Sequence, residues 1–180
     1  MNLANKITMI RICLIPIFLI CLWSSFPFHQ SVAAVIFILA AASDGLDGYI
    51  ARSRNQITNF GKFVDPLADK LLITAALVAL CEMGKVPALA VIIILSREFI
   101  ITGFRTLAAS EGVVIAASWW GKSKTVSQII AIVAILLDNV PFKWIGVPFD
   151  KIALYVSVVL TIISGIDYIY KNKHLILQNR

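Results

Sequence analysis

The sequence predicts an all-α polytopic membrane protein: six transmembrane helices with a polar cavity open to the cytoplasm. Three observations carry that expectation. The chain of 180 residues is 59% hydrophobic and only 14% charged, where soluble domains average roughly 45–50% and about 25%, and its mean hydropathy is +0.89. Its apolar residues form six segments separated by turn-prone breaks such as Ser24-Ser25-Phe26-Pro27 and Glu82-Met83-Gly84-Lys85. Its ionisable residues gather at the same end of nearly every segment. A bilayer span takes about 20 residues, so six use on the order of 120 positions. That leaves short loops and a single membrane-embedded domain over residues 1–180. A soluble enzyme, a disordered chain and a coiled coil fit this composition poorly.

The first segment runs from Asn5 to Trp23. Arg11 interrupts it and no small-residue cleavage site follows at Trp23-Ser24-Ser25-Phe26, so it reads as a span and not as a cleaved leader. The second, Ser31 to Ala51, offers eleven apolar residues, Val32 to Ala42, before Asp44. The third, Phe63 to Cys81, offers eleven more, Leu71 to Cys81, after Asp69 and Lys70. Each is long enough to cross only if its ionisable turns belong to the helix. The fourth, Pro87 to Leu107, ends with Arg97, Glu98 and Arg105. The fifth, Lys124 to Leu137, opens after Lys122 and Lys124. The sixth, Ile152 to Tyr170, ends with Asp167, whose default partner is Lys171 four residues on.

Positive charge orients the chain. With the amino terminus in the cytoplasm, Lys6, Arg11, Arg52, Arg54, Lys62, Arg105, Lys122, Lys124 and the tail from Lys171 to Arg180 lie inside, while Lys85, Lys143 and Lys151 lie outside. Both termini then face the cytoplasm of a cell (inner) membrane, and the basic tail meets its anionic leaflet. Trp23 and Trp144 anchor the outer interface and Trp119-Trp120 the inner one. Charges in lipid are costly, so those in the cytoplasmic halves should face one another and water. The net charge of +6 is thereby explained without nucleic acid. Cys13, Cys21 and Cys81 sit singly in apolar stretches and read as small core residues. His29 and His174 are too few, and too near loop or tail, for a histidine-built metal site.

Four of the seven aspartates fall between Asp44 and Asp69. Asp44 and Asp47 are three apart, and Asp65 and Asp69 four apart, so each pair shares a helix face. Two antiparallel neighbours joined by a short polar loop bring all four to one depth. Four bare carboxylates repel one another unless some are protonated or cations lie between them. An all-oxygen ligand set suits Mg2+ or Mn2+ in a two-metal site, and paired metals typically clamp phosphoryl oxygens. Gly45, Gly48 and Gly61 sit in or beside helical pattern, where they let a bulky ligand approach the backbone. Arg52 lies one turn past Gly48, suited to a phosphate. The bland reading pairs the aspartates with Lys62, Lys70 or Arg97 as helix locks.

Asp44-Gly45-Leu46-Asp47-Gly48-Tyr49-Ile50-Ala51-Arg52, then eight residues, Gly61, three residues, Asp65, three residues and Asp69 resembles the signature of the CDP-alcohol phosphotransferase family at every fixed position. The resemblance implies that Asp44, Asp47, Asp65 and Asp69 bind two divalent metals, and that Asp69 is also the catalytic general base. It implies that Gly48, Arg52 and Gly61 cradle the CDP moiety of a CDP-lipid, with Thr58 adding a contact from the connecting loop. Asn5 and Thr8, in Asn5-Lys6-Ile7-Thr8-Met9-Ile10-Arg11, resemble the family's amino-terminal stretch near the nucleotide; the alternative is helix capping. The family commonly forms homodimers.

Ser96-Arg97-Glu98-Phe99-Ile100-Ile101-Thr102-Gly103-Phe104-Arg105 and Gly121-Lys122-Ser123-Lys124-Thr125 resemble segments of the bacterial branch of that family whose acceptor is sn-glycerol 3-phosphate. Arg97, Arg105, Lys122 and Lys124 would then hold the acceptor's phosphate, a role their charges suit. The implied reaction moves a phosphatidyl group from CDP-diacylglycerol to sn-glycerol 3-phosphate and releases CMP. These four cations could instead be inside-positive anchors or lipid-headgroup contacts, and Arg97 could pair with Glu98 or an aspartate. Glu98 itself could orient Arg97 or Arg105. Other acceptors (an inositol phosphate, serine or phosphatidylglycerol) remain open. An ion-coupled transporter also uses intramembrane aspartates, but here the outer helix halves are nearly uncharged.

Overall fold

A computed structural model of the chain describes residues 3–53, 59–110, 112–113, 115 and 118–173, with side chains for all of these except 3–5, 44–53, 59–66 and 69. The described residues are all-helical, without a strand. In chain order they form α1 (Leu3–Trp23), α2 (His29–Ser53), α3 (Asn59–Glu82), α4 (Ala88–Ser110), α5 (Trp119–Leu136), a short 3-10 helix (Phe142–Ile145) and α6 (Phe149–Lys171). Helix is the state expected of such apolar sequence, because it satisfies every backbone donor and acceptor within its own segment.

The buried apolar residues alternate between helix halves along the chain. They come from the later half of α1 (Phe18, Leu22), the earlier half of α2 (Ala33, Phe37), the later half of α3 (Ala76, Leu80), and the earlier half of α4 (Ala90, Ile94). The later half of α5 (Ile132, Leu136) and the earlier half of α6 (Ala153, Leu154) complete the set. Successive helices therefore run in opposite directions, and the apolar core gathers at the end of the bundle that carries residues 24–28, 83–87 and 137–148. The opposite end holds the buried polar side chains Thr8, Arg11, Lys124, Gln128, Thr161 and Ser164.

Helix α1 packs most closely on α2, and α5 on α6. Next come α1 on α3 and α4 on α6. Small side chains permit these approaches: Ala33 and Ala40 flank Phe37 on the buried stripe of α2, and Phe37 meets Phe18 of α1 with ring centroids 5.8 Å apart. Between helices in lipid such packing matters more than hydrophobicity, since the surrounding tails are equally apolar. The bundle's perimeter is itself apolar, with Ile20, Leu39, Ile92, Phe99, Val159 and Ile166 among its exposed side chains. By length and composition, Lys6–Trp23 and Phe149–Lys171 are each able to cross a membrane.

The ionisable turns are part of the helices, as expected from the short apolar runs: α2 continues through Asp44, Asp47 and Arg52, and α3 contains Asp65, Asp69 and Lys70. Gly84, at φ 71°, ends α3 where the break was expected, with the Lys85 amide donating to the Leu80 carbonyl at 2.9 Å. The fifth helix departs from expectation. It begins at Trp119 and so includes Lys122 and Lys124, because Ser118 caps it: the Ser118 hydroxyl accepts from the Gly121 amide at 3.1 Å. Cys13 is also a correction. It is exposed, on the outward stripe of α1 with Ile10, Ile17 and Ile20, while Cys21 and Cys81 are half-buried; none is in a disulfide. In the α5–α6 connection Lys143 donates to Asp138 at 2.6 Å and holds that exposed carboxyl below its usual range.

Ala33→Leu should overfill the α1–α2 contact and cost about 1–3 kcal/mol. A thermal unfolding midpoint in detergent no lower than that of the wild type would contradict this packing.

Candidate active site

The face that α4 presents inward is set by helical spacing. Arg97, Glu98, Ile101, Thr102 and Arg105 recur at intervals of one, three, one and three residues, and all line one cavity of about 500 Å3. Helix α5 and its cap contribute Ser118, Gly121, Lys122, Lys124 and Thr125; α3 contributes Lys70, and α6 contributes Tyr168. The cavity lies at the polar end of the bundle, opposite the apolar core. Arg97, Arg105, Lys122 and Lys124 thus share one wall system. With Lys70 they set five cationic side chains against one carboxylate, Glu98, among the described lining residues.

The floor of the cavity is buried and cross-linked. Lys124, only 5% exposed, forms an ion pair with Glu98. The same Glu98 oxygen also accepts from Arg97 Nη1 at 3.4 Å. Arg97 Nη2 donates to the Ser164 hydroxyl on α6 at 2.6 Å, while Arg97 Nε is buried without an acceptor among the described residues. Gly165 makes room for this arginine: a Cβ there would stand 3.3 Å from Arg97 Cγ. Deeper still, Gln128 Nε2 donates to Thr161 Oγ1 at 3.1 Å.

The rim is more open. Arg105 and Lys122 are exposed. Arg105 Nε donates to the buried Tyr168 hydroxyl at 3.2 Å, and the guanidinium lies 5.6 Å from that ring's centroid. Phe104 meets Tyr168 edge-on, 5.9 Å between centroids. Glu98 therefore orients Arg97, while the partner of Arg105 is Tyr168. Asp167, assigned no site role, pairs with Lys171 at 2.8 Å as its spacing predicts.

The remaining predicted residues divide in two. Thr8 is buried and lies inside α1 rather than at its start. One turn on, fully buried Arg11 donates from Nε to the Ser43 hydroxyl at 3.1 Å, tying α1 to the residue that precedes Asp44. Asp44, Asp47, Gly48 and Arg52 belong to α2, and Gly61, Asp65 and Asp69 to α3, but their side chains, like that of Asn5, lie outside the described ones. Thr58 and the expected convergence of the four carboxylates fall outside them as well. Among the described residues no three His, Cys, Asp or Glu side chains cluster to hold a metal.

Sequence reasoning missed Tyr168, Ser164 and Ser118. The α6 residues had a readable signal: Ser157, Thr161, Ser164 and Tyr168 recur at helical spacing within an otherwise apolar span, and all four are buried. Ser118 had one too, since a serine ahead of a helical run is a favoured cap.

A cavity walled mainly by cationic side chains of α4 and α5, with Tyr168 of α6, thus adjoins two helices that carry a four-aspartate motif. The chain belongs to the CDP-alcohol phosphatidyltransferase family, whose model matches residues 1–163. The CDP-diacylglycerol–glycerol-3-phosphate 3-phosphatidyltransferase of Bacillus subtilis is 48% identical to it over 95% of each chain. The Haemophilus influenzae enzyme of the same name is 38% identical, covering 99% of this chain and 97% of its own. The Rickettsia bellii enzyme of that name is 35% identical over 93% of each.

Ser118→Ala should remove the α5 cap at a cost of about 1 kcal/mol. Amide exchange at residues 119–122 should quicken while that at 129–136 stays unchanged; equal rates in the variant and the wild type would contradict the cap.

Proposed function

We propose that this chain transfers a phosphatidyl group from CDP-diacylglycerol to sn-glycerol 3-phosphate, giving phosphatidylglycerophosphate and CMP. The observation that carries the reading is the single cavity lined by Arg97, Arg105, Lys122 and Lys124, with Lys70 following Asp69 on α3. So concentrated a basic wall suits an acceptor that itself bears a phosphate dianion. The names of the three relatives support the same donor and acceptor.

In this reading Asn5, Thr8, Gly48, Arg52, Thr58 and Gly61 hold the CDP-lipid, and the cationic cavity holds the phosphate of the acceptor. Asp44, Asp47, Asp65 and Asp69 form an all-oxygen donor set, with no histidine or cysteine in the motif, and so fit Mg2+ or Mn2+. Such a cation pair would neutralise charge on the pyrophosphate oxygens. Asp69 accepts the proton of the acceptor hydroxyl as its oxygen bonds to the lipid-bearing phosphorus. The phosphorus–oxygen bond to CMP breaks, and CMP leaves with the bonding pair. The cationic side chains orient the acceptor, so that a two-substrate encounter becomes a positioned one.

The proposal extends to topology. The whole chain acts as one membrane domain whose six long helices span the cell membrane, with both termini and the cavity on the cytoplasmic side. Positive charge supports this, since the polar end of the bundle also carries most of the lysines and arginines. Like others of its family, the chain would work as a homodimer.

Purified protein with CDP-diacylglycerol and Mn2+ should release CMP when given glycerol 3-phosphate. Release only with serine, an inositol phosphate or phosphatidylglycerol would replace the acceptor. Chelator should stop turnover and added Mn2+ or Mg2+ restore it; full activity in chelator would remove the metals. Asp69→Asn should lower kcat by at least about 10²-fold, the lower bound for general acid–base catalysis, and substantial residual activity would remove Asp69 from the base role. Arg105→Ala should raise the acceptor KM on the order of tenfold, as for loss of a charged hydrogen bond, with little change in the CDP-lipid KM. Equal effects on both KM values would contradict separate pockets.

A further inference from the structure

A carboxylate is out of place in a pocket for an anion, yet Glu98 stands in the floor of this one. It is mostly buried, with a side chain 13% exposed, and it is the one carboxylate among the described lining residues. A spectator would weaken phosphate binding, since an acidic group within a few ångströms repels a dianion. Its contacts point to another role. One oxygen, Oε1, takes both the Lys124 ammonium and Arg97 Nη1, which come from different helices. Lys124 reaches it from α5, whereas Arg97 is its own neighbour on α4 and is held from behind by Ser164 of α6. Without that oxygen the two floor cations would face each other with their mutual repulsion uncompensated on this side.

We infer that Glu98 is a positioning residue for phosphate recognition: it fixes Lys124 and Arg97 at the spacing a phosphate group requires, and the exposed Arg105 and Lys122 complete the cradle. The acceptor never contacts Glu98; its effect runs through the two cations. This inference rests on the phosphate-bearing acceptor proposed above and adds the residue that holds its pocket in shape. Preorganisation of this kind removes the ordering cost from the binding step.

The test is initial-rate kinetics on the full chain in detergent or nanodiscs, varying glycerol 3-phosphate and CDP-diacylglycerol separately, with inorganic phosphate as competitor. Glu98→Ala should raise the KM for glycerol 3-phosphate by on the order of tenfold or more and weaken inhibition by phosphate in the same proportion. The KM for CDP-diacylglycerol should stay within about twofold, as for a distant independent site. Glu98→Gln, which keeps shape and one acceptor oxygen, should fold like the wild type and lie between the two. If Glu98 served only to balance charge, both variants would bind phosphate more tightly, and the inference would be wrong. It would also fall if both KM values rose together with a lowered melting temperature, the mark of a merely structural residue, or if the acceptor KM did not move. A wild type that releases no CMP with glycerol 3-phosphate defeats the proposed function, and this inference with it; active wild type with unaffected variants defeats the inference alone.

Discussion

The structure depends on keeping buried charge at one end of an apolar bundle. An ionised group surrounded by hydrocarbon loses several kcal/mol of hydration, and it persists there only when paired, hydrogen-bonded or in reach of water. The bundle meets this condition by division. One end is filled with alanine, leucine, isoleucine and phenylalanine. At the other, polar groups have partners: Arg11 donates to Ser43, Arg97 and Lys124 pair with Glu98, Gln128 donates to Thr161, and Tyr168 accepts from Arg105. Stray placement of one of these cations in the apolar end would break the same rule that makes the cluster stable.

That arrangement also suits the cavity to an anion. Among the described lining residues the cations outnumber the carboxylate by five to one, and several are fixed before any ligand arrives. Lys124 is held by Glu98, Arg97 by Glu98 and Ser164, and Arg105 by Tyr168. A phosphate entering such a site meets donors already aimed, in surroundings of low dielectric where each charge–charge contact counts for more than in water. The floor uses a lysine and an arginine that are buried, and the rim uses Arg105 and Lys122 that remain exposed. The first pair can supply geometry, the second attraction from the solvent side.

Much of this was readable from residue order alone. Asp44 and Asp47 lie within α2, and Asp65 and Asp69 within α3, as expected from runs of eleven apolar residues, too short to cross a bilayer unless the charged turns are helical too. The four cations of α4 and α5, expected together as holders of the acceptor's phosphate, line one cavity. What escaped notice depended on contacts between helices. Tyr168 and Ser164 are ordinary residues until α6 is packed on α4, and only then does each face an arginine. Cys13 went astray for a related reason: in a membrane chain apolar surroundings in sequence do not distinguish the core from the lipid-facing stripe. The side chains of the four aspartates lie outside the described residues, so the motif rests on its spacing and on the helices that bear it.

The pattern of helix contacts has a functional logic of its own. Helix α1 packs chiefly on α2 and α3, and α6 on α5 and α4, while α2 and α3 make lighter contacts across to α4 and α5. The bundle is therefore two three-helix groups meeting along a seam. The aspartate motif belongs to the first group and most of the cationic wall to the second; Lys70 reaches the cavity from the first. Under the proposed function the CDP-lipid is held by one group and the acceptor by the other, so the reacting atoms meet at the seam. Each group is organised on one helix, α1 or α6, and the contacts between groups set how closely the two substrates approach. A reaction between two bound molecules is most sensitive to that distance, where displacement by about 1 Å can cost on the order of 10²-fold in rate. Residues that touch neither substrate but bridge the groups are consequently as much a part of the site as those that do.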